Sequence, residues 1–304
     1  METHDQLTIE LEQYKLENEK FGKRDLDKHI TEIPEHGMEA DEILAMIGDP
    51  HKNVKHKNKM SGGWYAPTDK PNWREAKAEL DEKVLEPNIM HSEWQHLKEL
   101  EVDAVQMCIN LYKGGPNARG IKTIGGTLSI FMACYAAKNR ALHFTFPVTR
   151  PNIVTSTKSH PAFAKACQYM GIELRQVPVQ SDTFKMDTTK LASYIDENTV
   201  LVVANGPAFP EGILDDVREI ARISGNYQVP CMVDACLGGF LLPFLRDALK
   251  KMGVEVPDTP EINFEIPNVA FISADNHKFG LSKKGYSTLM VSDARSEERR
   301  VGKE

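Results

Sequence analysis

The chain has 304 residues, a length that fits about two domains at roughly 100–200 residues each. Its 37 Lys and Arg against 44 Asp and Glu leave a net charge of −7, with 41% hydrophobic and 27% charged residues. Disordered, collagenous and disulfide-scaffold classes are excluded, and the acidic balance argues against a nucleic-acid partner, which would call for a basic surface.

The polar amino terminus, METHDQLTIELEQYKLENEK, is not a signal peptide. Residues 1 to about 60 are charge-rich, with a basic stretch, HKNVKHKNK, and all three tryptophans, Trp64, Trp73 and Trp94, follow before residue 100. We read 1–100 as an arm of short helices. Apolar spacing predicts a helix over 93–112, stopped by Gly114-Gly115-Pro116. Beyond Gly120 the pattern alternates: helix 127–139, strand 152–156, helix 161–170, strand 173–178, helix 188–195, strand 200–204, helix 214–224, then strands 230–234, 270–273 and 287–291. Short apolar strands alternating with amphipathic helices predict an α/β domain over 101–293 with a largely parallel sheet. The uncharged stretch 123–137 is too short and too glycine-broken to span a bilayer, so no transmembrane segment is expected and the chain as written reads as cytoplasmic.

Cys108, Cys134, Cys167, Cys231 and Cys236 form no CxxC pair; buried, reduced thiols are expected, and no metal site. Four other segments carry chemistry. Lys278, in SADNHKFG, follows an apolar strand, where open α/β sheets place ligands; partial desolvation there would lower its pKa and allow a Schiff base. Asp234 ends the strand Cys231-Met232-Val233, and needs a cation or donors to offset desolvation; a local alternative is a cap for the next helix. Gly125-Gly126-Thr127 opens a helix, with Thr127 and Ser129 as hydroxyl donors for a phosphate; a plain glycine turn is the alternative. His160 stands between a strand and a helix, placed either to stack on a flat ring or to cap.

In that order, these segments resemble the group II decarboxylases dependent on pyridoxal 5′-phosphate (PLP), of the aspartate-aminotransferase fold, PLP-dependent transferase fold type I. Within that family VDACLGGF at 233–240, SADNHKFG with KKG at 273–285, SHPAFAKACQYMG at 159–171 and the Phe-Pro-x-Gly of Phe209 to Gly212 are similar to the sphingosine-1-phosphate lyase branch. The resemblance implies a mostly parallel sheet flanked by helices, PLP as cofactor, and a homodimer. It implies Lys278 as the Schiff-base lysine, Asp234 on the pyridine nitrogen, and His160 on the ring. Gly125, Gly126, Thr127 and His277, with Ser273, would hold the phosphate. Tyr65, in SGGWY, His91 and Lys284 are implied near the substrate, and Tyr65, Lys284 or the substrate phosphate would serve as base. The implied reaction is retro-aldol cleavage of a long-chain base phosphate, a phospholipid-base substrate, to phosphoethanolamine and a long-chain aldehyde. Asp275 and Lys284 favour this lyase over an amino-acid decarboxylase of the glutamate or tyrosine type.

Departures from the family pattern are Ile124 and Leu128, where its phosphate loop has Ser and Glu, Glu211 in place of a histidine, and the spacing Glu86-Pro87-Asn88-Ile89-Met90-His91. They keep open a third reading, an inactive relative. The closing stretch ARSEERRVGKE, 294–304, reads as a foreign tail where the small carboxyl-terminal domain of the family would begin, so a truncated chain is expected. Such lyases in eukaryotes carry an endoplasmic-reticulum anchor, which would lie outside this sequence.

Overall fold

The computed structural model describes residues 95–144, 148–209, 211–254 and 261–293. All of them belong to one compact unit, Met60–Glu304, the chain's other unit being Met1–Lys59. The expected arm up to residue 94, the tryptophans, Tyr65, His91 and the tail from 294 lie outside the described residues.

Seven strands form one sheet in the order β1-β7-β6-β5-β4-β2-β3: β1 (Arg119–Thr123), β2 (Asn152–Ser156), β3 (Glu173–Val177), β4 (Thr199–Asn205), β5 (Cys231–Ala235), β6 (Val269–Ala274) and β7 (Ser287–Val291). The pairs from β3 through β6 are parallel, while β7 runs antiparallel to both β6 and β1. The carboxyl ends of six strands and the start of β7 therefore share one edge.

Helices cover both faces, as near-continuous apolar strands require. Along β4, Leu201 and Val203 face a core with α2 (Gly126–Phe144) and α3 (Ala162–Met170). Val202 and Ala204 face the opposite core, with α1 (Gln95–Leu111) and α5 (Val217–Asn226). This two-residue alternation places β4 between two layers of helix. Gly171 closes α3 at φ +63°, donating its N–H to the Cys167 carbonyl. The Asp216 carboxylate caps α5, accepting from the Glu219 N–H at 3.0 Å.

Several expected bounds shift. The helix expected over 127–139 continues to Phe144, and that over 214–224 becomes Val217–Asn226, because Asp216 caps it. The helix over 188–195 is one α turn, α4 (Thr188–Leu191), capped by Asp187, followed by a 3₁₀ turn, Ala192–Tyr194. Two elements were not anticipated. β1 is an edge strand whose Arg119 and Lys122 are exposed, so it lacks an apolar run; α6 (Leu242–Lys251) buries none of its residues fully. All five cysteines are buried and free, as expected.

Candidate functional site

The shared edge gathers the predicted chemistry. Asp234 is buried at the end of β5, in register with Asn205 of β4 and Ser273 of β6. Its Oδ1 accepts the Cys236 N–H at 3.1 Å and the Ser273 hydroxyl at 3.2 Å. Both bonds fall on Oδ1, and Oδ2 takes none among the described residues. The helix-cap alternative fails, since the next helix begins only at Leu242.

Ser273, expected beside a phosphate, is fully buried with its hydroxyl between Asp234 and the Cys236 thiol, which lies 3.3 Å away. Ser129, expected as a phosphate donor, is also fully buried. Its Oγ is 2.7 Å from Thr123 Oγ1 and 2.8 Å from Ser287 Oγ, a hydroxyl chain that ties α2 to β1 and β7. Thr127 remains exposed at the helix start.

The turn into α2 is built for close approach. Gly125 has φ +128°, a value that disfavours any side chain, and a Cβ there would face His277 Cε1 at 3.5 Å. A Cβ on Gly126 would fall 2.7 Å from both Asp275 Oδ1 and Cys236 Sγ. The first N–H groups of a helix lack intrahelical acceptors and carry the positive end of its dipole, so this turn presents donors to an anion. His277 and Lys278 reach the same place from the loop after β6: His277 is buried, and its N–H donates to the Tyr286 carbonyl at 2.9 Å.

Lys278 Nζ meets Asp275 Oδ2 at 2.9 Å, in an i,i+3 pair of which the carboxylate is almost wholly buried. Burial pulls the Lys278 ammonium down, but the Asp275 carboxylate, with Asp234 adding to it, outweighs burial and holds its pKa above the ordinary lysine value. This reverses the expectation of a lowered pKa: the chain supplies a buried counter-charge that the strand-end position alone does not disclose. Sequence reasoning also missed Cys236, whose thiol burial pushes far above its usual range.

His160 stands exposed after β2, and its Nδ1 accepts the Ala162 N–H at 3.1 Å. The capping role and an available ring face thus coexist, and the bond leaves Nε2 as the protonated nitrogen. Nearby, Lys158 pairs with Glu211 at 2.5 Å across the loops after β2 and β4. Lys284 is exposed. Among the described residues no His, Cys, Asp or Glu cluster could hold a metal, and no helix is long and apolar enough to cross a membrane.

An anion-binding helix start, a lysine on a strand-end loop and a strand-end carboxylate with one unengaged oxygen fit a phosphate-bearing aromatic aldehyde such as PLP. Known proteins agree. The pyridoxal-dependent decarboxylase conserved domain matches residues 93–299.

The chain belongs to the pyridoxal-dependent decarboxylase family.

Curated relatives of this pyridoxal-dependent family include the sphingosine-1-phosphate lyase of Drosophila melanogaster, 36% identical over 87% of this chain and 48% of that protein. Sphingosine-1-phosphate lyase 1 of Mus musculus is 32% identical over 91% of this chain and 47% of that protein. The chain thus spans about half the length of these relatives. Among solved structures, a sphingosine-1-phosphate lyase of Burkholderia pseudomallei superposes with a TM-score of 0.73 at 28% identity, covering 90% of this chain and 62% of that one. A Lactobacillus brevis glutamate decarboxylase, at TM-score 0.69 and 22% identity over 90% of this chain and 63% of that one, shares the fold.

Proposed function

We propose that this chain carries the PLP-binding part of a lyase that cleaves sphingosine-1-phosphate-like long-chain base phosphates to phosphoethanolamine and a long-chain aldehyde. The observation that carries this over a decarboxylase is the class of relative: the lyases match at 32–36% identity across most of the chain, the glutamate decarboxylase only as a fold.

When bound, PLP supplies a carbonyl that captures the substrate amine and a protonated ring that takes up the electrons released by carbon–carbon cleavage. The chain's residues divide the remaining work. Gly125, Gly126 and Thr127 donate backbone N–H groups to the phosphate, joined by His277. Asp234, with its unengaged Oδ2, would hold the ring nitrogen in its protonated form, and His160 would lie against the ring. Lys278 offers the amine. Tyr65, His91 and Lys284 receive the phosphorylated head of the substrate; Tyr65 or Lys284, or that phosphate itself, removes the proton from the hydroxyl next to the breaking bond.

A homodimer belongs to the same reading. On α2, Leu128, Met132, Tyr135 and Leu142 are exposed at helical spacing, and Ile124, 79% exposed, extends that surface beside the cradle. An apolar stripe of this kind fits a second copy of the chain.

Incubating the protein with PLP and sphingosine-1-phosphate tests the reading. Long-chain aldehyde and phosphoethanolamine are expected from the parent and not from Lys278→Ala. Carbon dioxide from an amino acid, with no aldehyde, overturns the lyase in favour of the decarboxylase. A folded protein that shows no visible cofactor band with PLP is instead the inactive relative, the reading that Ile124 and Leu128 favour.

A further inference from the structure

Asp275 stands at the centre of the site, and the chemistry so far does not use it. It is 2% exposed, one residue beyond β6, with Oδ2 2.9 Å from Lys278 Nζ and 3.6 Å from His277 Nε2. Its Oδ1 is buried with no hydrogen-bond partner among the described residues. The carboxylate packs on the start of α2, where a Cβ on Gly126 would come within 2.7 Å of Oδ1 and 2.9 Å of Oδ2. A buried carboxylate oxygen without a donor is unfavourable unless the group has a partner to serve or a proton to take.

We propose that Asp275 is the positioning residue for Lys278, holding Nζ as an ammonium in the cofactor-free site until one proton is lost and Lys278 condenses with an aldehyde. This rests on Lys278 as the carbonyl-binding lysine, a step that the lyase and decarboxylase readings share, and it adds a role that neither assigns.

An ammonium has no lone pair and does not attack a carbonyl. One Nζ proton leaves to solvent, which reaches the partly exposed Lys278 side chain, and a neutral amine remains beside the Asp275 carboxylate. The amine nitrogen then forms a bond to the aldehyde carbon, and the carbonyl oxygen leaves as water with the two remaining N–H protons. The titratable groups facing Lys278 are Asp275 and His277 from its own loop, and Asp234 and Cys236 from the end of β5. Cys236 stays a thiol through burial. Without Asp275, burial of the ammonium is opposed chiefly by Asp234.

The test uses the full chain with two probes, PLP and pyridoxal, which lacks the phosphate. Borohydride reduction and mass spectrometry then measure modification of Lys278 across pH. The parent is expected to label with a midpoint above that of an exposed lysine. Asp275→Asn should move the midpoint down by about one pH unit, so that at a fixed pH below both midpoints it labels about tenfold faster. Pyridoxal should show the same shift, which separates lysine ionisation from phosphate binding. Equal midpoints in the parent and in folded Asp275→Asn overturn the proposal. If Asp275→Asn does not fold, the parent decides alone: a midpoint at or below that of an exposed lysine overturns it. Labelling at Lys278 without lyase products sinks the lyase reading and leaves this one standing; a Lys278 that never labels sinks both.

Discussion

Asp234 and Ser273 face each other in register across the parallel β5–β6 pair, and the Ser273 hydroxyl donates to Asp234 Oδ1 at 3.2 Å. The Cys236 N–H holds the same oxygen from the other side, so the carboxylate is oriented by two donors and its second oxygen is left to act. Ser273→Ala removes one of them. The expected loss is about 1 kcal/mol of stability, the usual net worth of a hydrogen bond. Turnover should fall several-fold with PLP affinity unchanged, and Ser273→Thr should restore part of it. Titrating PLP into the variant and measuring kcat separates the outcomes: a drop in affinity with kcat intact would put Ser273 back at the phosphate.

Gly126 is fixed by what lies behind it. A methyl group there would sit 2.7 Å from the Cys236 thiol and from Asp275 Oδ1, both buried, and neither can swing into solvent. Gly126→Ala is therefore expected to cost about 1–3 kcal/mol from overpacking. It should also displace Asp275 and disturb cofactor loading. Urea unfolding followed by PLP titration checks both; a variant as stable as the parent would mean that the two side chains have room to move.

The parallel core was legible because β4 carries an unbroken apolar run, and β2 and β5 shorter ones, set between amphipathic helices. β1 was not, since a charged edge strand paired only to β7 has no such signature. In the site, Asp234, His160 and Lys278 stood out by their positions at strand ends, and His277 only through the family resemblance. Their partners did not. Asp275 is three residues before Lys278, a spacing that hints at a pair, yet only the fold buries it against Gly126. Ser129 looked like a helix-start donor, but helical rotation turns it inward to Thr123 and Ser287. Sequence order gives the residue types at an edge; which hydroxyl points to the ligand and which to the core depends on the layers behind.

Asp215, in the loop between β4 and α5, is a buried carboxylate with a structural task. Its Oδ1 accepts the Met186 N–H at 2.7 Å, and its Oδ2 accepts the Asn205 N–H at 2.8 Å and the Asn205 side-chain amide at 2.9 Å. Asp215→Ala strands these buried donors, and an expected loss of about 3 kcal/mol follows. Asp215→Asn keeps an acceptor and should lose less. Burial outweighs the donors and raises the carboxyl above its ordinary value. A folded-state pKa above the unfolded one means the unfolded chain ionises first as pH rises. The Asp215 contribution to stability therefore declines from the ordinary carboxylate value up to the raised one, and Asp215→Asn should remove that decline. Unfolding midpoints of the two proteins across the acid range give the comparison; parallel curves would show that Asp215 ionises normally in the fold.

The five thiols offer a test of the whole core. Burial pushes Cys167 up to about 11, Cys231 up to about 12 and Cys134 higher still, and it raises Cys236 well above the ordinary thiol value. Cys108 is buried as well, 3% exposed on α1. Thiol reagents attack the thiolate and need access, so the native protein at about pH 8 should label at none of the five, and the denatured protein at all of them. Labelling should then proceed only as fast as the protein opens. Cys236 is the informative position, because its sulfur lies at the floor of the site against Ser273 and Gly126. If it labels faster than Cys134 and Cys231, the edge of the sheet opens on its own. If all proceed at one rate, the site shares the stability of the core beneath it.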